Sequence, residues 1–138
     1  MIKFKIATPE KVVYEDEIFQ ATIPTMSGEI TVLPNHIPLV SVLQAGELKI
    51  KDKDGEHPFA MSGGFLEVRG NNEIYILADH IERATEIDIE RAEAARKNAE
   101  EQLVRAKAGE NVDFARLNAV INREMNRVRV ANKYKDVK

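Results

Sequence analysis

Three arginines in the last quarter of the chain, Arg116, Arg123 and Arg127, are spaced seven and then four residues apart. At 3.6 residues per turn these positions fall within about 40° of one another, so a single helix carries a line of guanidiniums. The fixed fork of a guanidinium pairs with phosphate or carboxylate oxygens in a bidentate way, which makes such a line either an anion site or a cationic face for an acidic partner. A solvated helix face is the plain alternative. A second segment, Ile87-Asp88-Ile89-Glu90-Arg91-Ala92, opens another helix with a carboxylate and one more guanidinium. Alone it reads as an N-cap with an Asp-to-Arg pair at i, i+3, worth about 0.2–0.5 kcal/mol. Together the two arms look like a switchable anion site.

The rest of the composition excludes most other chemistry. The 138 residues suffice for one ordinary core or a small domain with an appendage, and 43% hydrophobic against 31% charged residues is a globular balance. The formal net charge of -3 is unevenly spread, with -5 over residues 1–83 and +2 over residues 84–138. That basic excess is too small for a nucleic-acid surface, and Phe114 and Tyr134 are the only aromatics beside it. Without cysteine there is no disulfide, thiolate zinc site or thiol nucleophile, as suits a reducing compartment. No stretch has the length of a signal-peptide core or a membrane span, so the expectation is a soluble, cytoplasmic protein.

Two halves with different periods must position these groups. Residues 1 to about 80 alternate with period 2, with candidate strands at 2–7, 17–23, 28–33, 46–51, 56–61, 65–69 and 73–78. So many short strands point to a sandwich or flattened barrel. Lys51-Asp52-Lys53-Asp54-Gly55 and Gly70-Asn71-Asn72 read as hairpin turns. Pro34 and Pro38 bracket Asn35-His36-Ile37 in an exposed, extended loop where no ladder can run. After Ala84 the period changes to that of a helix. Ala92, Ala95, Ala99, Leu103 and Ala106 form one face, with Asp88 as N-cap and Ile87 as a staple. A break at 108–112 precedes a second helix capped by Asp113, whose stripe is Phe114, Leu117, Ile121 and Val128. The fold class is α+β: an N-terminal antiparallel β-sandwich over 1–84, then an antiparallel two-helix hairpin over 85–138. An alanine-rich seam buries little apolar area, so the hairpin should be able to leave its docking surface.

Three further patterns carry no chemistry. Ser62-Gly63-Gly64 superficially suggests an oxyanion loop, but no nucleophile elbow or His/Asp partner accompanies it, and tight strand entry accounts for it. Asp52-Lys53-Asp54-Gly55 begins like a calcium loop but has glycine at the twelfth position. His36, His57 and His80 lack metal-ligand spacing, so no metal is expected. Without an acid/base or nucleophile constellation the chain is not expected to be an enzyme.

Gly28-Glu29-Ile30-Thr31-Val32-Leu33-Pro34-Asn35-His36-Ile37-Pro38-Leu39, followed by Ser62-Gly63-Gly64-Phe65-Leu66-Glu67-Val68 and Ile76-Leu77-Ala78, closely resembles the epsilon subunits of bacterial F-type ATP synthases over the whole chain. The resemblance implies a non-catalytic rotor subunit that clamps the central stalk to the proteolipid c-ring and whose hairpin restrains ATP hydrolysis. The partners implied are the gamma subunit, the c-ring through the loop carrying Glu29 and His36, and the catalytic beta and alpha subunits when the hairpin extends. It implies no nucleic-acid partner, and a place on the cytoplasmic face of the bacterial plasma membrane through the complex alone. The family's ATP-binding version carries Ile/Leu-Asp-x-x-Arg-Ala, met here by Ile87, Asp88, Arg91 and Ala92, with Glu82, Arg123 and Arg127 as companions. ATP would then be a regulatory ligand, with no cofactor required, favouring the folded, non-inhibitory hairpin. One position departs: Asn98 stands where thermophilic Bacillus relatives have arginine, which weakens the implied phosphate cage. Arg116 falls outside the matched set and stays with the partner-surface reading. The alternative function is a stand-alone ATP-sensing module.

Overall fold

The computed structural model describes residues 1–107 and 113–135. The chain divides into two compact units, Met1–Arg83 and Ala84–Lys138.

The first unit contains strands β1 (Ile2–Ala7), β2 (Val12–Ile18), β3 (Gln20–Thr25), β4 (Gly28–Val32), β5 (Leu39–Asp52), β6 (Gly55–Arg69), β7 (Glu73–Ala78) and β8 (Ile81–Arg83). Their hydrogen-bonded order is β2-β1-β7-β6-β5-β3-β4, with β8 also on β6. β5 and β6 pair along nearly their whole length, from Leu39↔Val68 to Asp52↔Gly55. Beyond that pairing their halves have different neighbours: the C-terminal half of β6 pairs with β7, its N-terminal half with β8, and β5 pairs mainly through its C-terminal half with β3. The two layers of the sandwich are thus joined through one long hairpin. All pairings are antiparallel except β1 with β7, which is parallel. Alternation delivers Ile2, Phe4 and Ile6 of β1, Leu48 and Ile50 of β5, Phe59, Met61, Leu66 and Val68 of β6, and Ile74 and Ile76 of β7 to one buried core.

The glycine pair differs from the strand entry expected of it. β6 runs unbroken through Ser62-Gly63-Gly64, which therefore joins the two strands expected at 56–61 and 65–69. Gly63 and Gly64 take φ of 91° and 136°, so the strand bends while its ladder continues on both sides. At Gly64 a Cβ would run into the Leu77 carbonyl oxygen and the Ala78 Cα of β7. Other differences have simple causes. The strand expected at 17–23 is divided at Phe19, with Ile18 ending β2 and Gln20 starting β3. β2 itself has only Tyr14 and Ile18 buried, too sparse an alternation to stand out. β5 begins at Leu39, seven residues before the expected start, because Val40 and Val42 face outward and mask the period.

The Asp52 turn carries an unexpected polar knot. Asp52 is buried and accepts hydrogen bonds from the Tyr14 hydroxyl (2.7 Å), His57 Nε2 (2.9 Å) and the Asp54 amide (2.8 Å). Tyr14 packs edge-on against Phe4 and Phe59, and the Arg83 guanidinium lies 5.3 Å from the Phe59 ring centre. Burial pushes the Asp52 carboxyl up, but the bonds from Tyr14, His57 and Asp54 outweigh it and hold its pKa below the ordinary value. Burial, and then the bond to Asp52, pushes the Tyr14 phenol well up.

In the second unit a 3-10 turn (Ala84–Glu86) precedes α1 (Ile89–Lys107) and α2 (Phe114–Tyr134). Both expected caps are present: the Asp88 carboxylate accepts the Arg91 amide at 3.1 Å, and Asp113 accepts the Arg116 amide at 3.0 Å. The expected break at 108–112 lies outside the described residues. α1 and α2 pack on each other, and the 3-10 turn packs on α2. Ala92, Ala99 and Ala106 are buried and Ala95 and Leu103 half-buried, as the alanine stripe requires. On α2, Leu117 is buried and Ile121 and Val128 half-buried, but Phe114 is exposed. It points along the stripe, about 20° from Ile121 and 40° from Val128 round the axis, but as the first residue of the helix it stands at the end of the seam.

Two outcomes test this fold. Gly64→Ala meets strand backbone and an unfavourable φ at once, so it should destabilise the sandwich by about 2–4 kcal/mol, read from the urea midpoint. The depressed Asp52 pKa makes its contribution complete above the ordinary carboxylate value and lost as pH falls through the folded value. The raised Tyr14 pKa makes its contribution complete below about 10 and lost as pH rises through the folded value. Tyr14→Phe should therefore cost about 1 kcal/mol at neutral pH and flatten the alkaline limb of a stability-against-pH series.

Candidate functional site

The residues singled out for anion binding fall on both helices of the second unit and on β8 of the first. On α2, Arg123 and Arg127 converge on one carboxylate. Arg123 Nε lies 3.4 Å from Glu124 Oε1, and Arg127 Nη1 donates to Glu124 Oε2 at 2.7 Å. Glu124 is 3% exposed, although both arginines are only half-buried. Leu117, Ile121, Glu124, Val128 and Ala131 recur at 4, 3, 4 and 3, so the carboxylate occupies a position of the apolar stripe. Arg116, the third member of the cationic line, is exposed. The line is graded: its outer arginine is solvated and its inner two are held by an internal acid.

Ile87, just ahead of α1, and Ala92 within it are buried, which makes them packing residues of the helix start. Asp88 is exposed and its carboxylate is engaged as N-cap; Arg91 is exposed one turn on. Asn98 is exposed, whereas Arg96 lies on the alanine side with its Nε buried and unsatisfied and its Nη1 3.9 Å from Glu100. Glu82 is half-buried on β8, opposite Ala60 of β6.

The residues expected against the membrane ring are in the sandwich. Glu29 is exposed on β4, paired with Pro24. His36 is half-buried in the loop after β4, with Nδ1 2.7 Å from the Ile37 carbonyl. The loop is pinned at its base, where Asn35, at φ 69°, donates its amide to Asn72 Oδ1 at 2.6 Å. Its tip residue Ile37 is 75% exposed.

Two features escaped sequence reasoning. One is Glu124, whose signal was its place in the 4-3-4-3 register. The other is an apolar row on the outer sheet face, where Val42, Phe65 and Leu77 are cross-strand neighbours on β5, β6 and β7 and all about half exposed. Val40, 72% exposed, borders a shallow groove lined also by Lys5, Phe65, Tyr75 and Leu77. A contiguous apolar face of this kind marks an interaction surface.

Comparison with known families agrees with this division. Residues 1–84 match the β-sandwich domain of the ATP synthase delta/epsilon chain, and residues 85–132 match its long α-helix domain. The chain belongs to the ATP synthase delta/epsilon family. Among its relatives, the ATP synthase epsilon chain of Desulforamulus reducens is 40% identical over 129 residues, covering 94% of this chain and 96% of that one. The epsilon chain of Chloroflexus aggregans is 42% identical over 134 residues, covering 97% and 94%. A chain in the cryo-EM structure of Euglena gracilis mitochondrial ATP synthase, which comprises OSCP, F1 and c-ring, superimposes with a TM-score of 0.71 at 25% identity, covering 96% of this chain and 81% of that chain. The chain is accordingly a stalk subunit and not an enzyme on its own, and no described helix is long and apolar enough to cross a membrane.

Because Asp88 is both a candidate nucleotide residue and the cap of α1, its two roles separate by substitution. Asp88→Ala should cost α1 about 1 kcal/mol and speed amide exchange at Arg91, whereas Asp88→Ser, which keeps a capping oxygen, should leave exchange nearly unchanged.

Proposed function

We propose that the protein couples rotation of the membrane ring to the catalytic head of an ATP synthase through its sandwich unit and restrains ATP hydrolysis through its helical unit. ATP, by favouring the folded hairpin, relieves that restraint. The observation that carries the coupling role is the exposed apolar row Val42–Phe65–Leu77, the surface offered to the gamma subunit in this reading. Glu29 and His36, on and after β4, are the residues offered to the polar loops of the c-ring, where charge complementarity sets register more than affinity. The complex sits in this reading on the cytoplasmic face of the bacterial plasma membrane.

The regulatory role is supported by the composition of the hairpin. Its α1 stripe is mostly alanine, so folding it gains little burial, and a ligand of modest affinity decides its state. Arg91, Arg123 and Arg127 would face the triphosphate, with Glu82 and Asp88 toward the adenine or its surroundings. ATP at ten times its Kd adds about 1.4 kcal/mol to the folded form, which shifts a balanced hairpin about tenfold. Extended, the hairpin turns Arg116, Arg123, Arg127 and Arg129 toward acidic surfaces of the catalytic beta and alpha subunits, an attraction screened over about 8 Å at physiological salt.

Three measurements test these assignments. Phe65→Ser and Leu77→Ser should leave the protein folded and weaken capture of gamma at least about tenfold; unchanged capture removes the row from the interface. A chain ended at Arg83 should still bind gamma and couple, and a folded truncation that fails to bind contradicts the division of labour. Calorimetry with millimolar ATP should show binding that is lost in Arg91→Ala and Arg127→Ala; no heat from the unaltered subunit returns the arginines to a partner-facing surface.

A further inference from the structure

Glu124 stands where a packing residue is expected. Every other member of the stripe Leu117, Ile121, Val128 and Ala131 is apolar, and a hydrophobic residue of similar volume in place of a buried ion pair is commonly neutral or stabilising. The carboxylate is therefore not explained by stability. What it does in the structure is bind the two guanidiniums: Oε1 faces Arg123 Nε at 3.4 Å and Oε2 accepts from Arg127 Nη1 at 2.7 Å. Arg127 and Glu124 are one turn apart and Arg123 is adjacent, so the three groups meet on α2 itself and need no movement of another element to do so.

We propose that Glu124 is an internal competitor for the phosphate oxygens at Arg123 and Arg127, and thereby sets the nucleotide affinity of the hairpin. This rests on the reading of those arginines as an ATP site. A guanidinium has five N–H donors in a fixed fork, and a donor given to Glu124 is withheld from phosphate. The carboxylate also cancels one of the two positive charges and repels an arriving polyanion within a half-buried site where screening is weak. In the absence of ATP the same carboxylate serves as a stand-in anion for both guanidiniums. Glu124 thus lowers the affinity for ATP and narrows the difference between liganded and empty hairpins, tuning the response toward high ATP concentrations.

Titration calorimetry of the full chain with magnesium-ATP, and separately with inorganic tripolyphosphate, tests this on the unaltered protein, Glu124→Gln, Glu124→Met and Glu124→Gln/Arg127→Ala. Circular dichroism confirms that each variant keeps its helices, and Glu124→Met, which suits the apolar stripe, serves if the amide variant does not fold. The expected result is at least about tenfold tighter binding of both ligands in the single variants, equivalent to about 1.4 kcal/mol, with the gain abolished when Arg127 is also removed. Binding by the unaltered protein that tightens in neither single variant overturns the role of Glu124 and leaves the ATP site standing. A gain that survives Arg127→Ala also overturns it, since the effect would then come from the hairpin at large. Absence of binding in the unaltered protein and in both single variants ends the ATP reading and this inference with it.

Discussion

The sandwich depends on one long hairpin serving both of its layers. β5 and β6 pair from Leu39↔Val68 down to Asp52↔Gly55, and other strands attach to their two halves. A strand can change layers only by bending, and bending within a ladder demands backbone that ordinary residues resist. Gly63 and Gly64 supply it, and the absence of a side chain at Gly64 lets β7 approach. At the far end of the hairpin the Asp52 knot ties the turn to Tyr14 of β2, so the same pair of strands is fixed at its middle by sterics and at its tip by hydrogen bonds.

The two units are stabilised by different means. The sandwich buries large aromatic and branched side chains such as Phe4, Phe59, Ile50 and Leu66, which at about 1.5–3 kcal/mol each offset the ordering of the chain. The α1 stripe buries alanines and makes up in closeness of approach what it lacks in area. A rigid platform and a marginal appendage suit the proposed roles, coupling for the sandwich unit and regulation for the helical unit.

The sequence was most legible where one force acts alone. β1 and β7, half-buried on a single face, have the same limits in the structure as in the alternation, and both helix caps are where Asp88 and Asp113 predict them. Legibility failed where two demands compete. The start of β5 hides its period because Val40 and Val42 are retained as outward apolar residues. Gly63-Gly64 reads as punctuation because glycine usually ends a strand, whereas here it bends one. Glu124 drew no notice because a carboxylate does not count toward an apolar stripe; its 4-3-4-3 spacing with Leu117 and Ala131 was the signal. The candidate binding residues were visible as types, but that Arg123 and Arg127 already share an acid is a matter of side-chain geometry that no spacing contains.

The parallel pairing of β1 with β7 sets an order of events during synthesis. Lys3 is registered with Glu73 and Ala7 with Leu77, so β1 has no parallel neighbour until about seventy further residues have been made. Its other neighbour, β2, is available almost at once and joins it antiparallel from Ile2↔Ile18. A ribbon of β1 and β2 alone would leave Ile2, Phe4 and Ile6 wet and is marginal on its own. Only when β7 has been made can both edges of β1 be paired and the core seal, so the rigid unit is completed late.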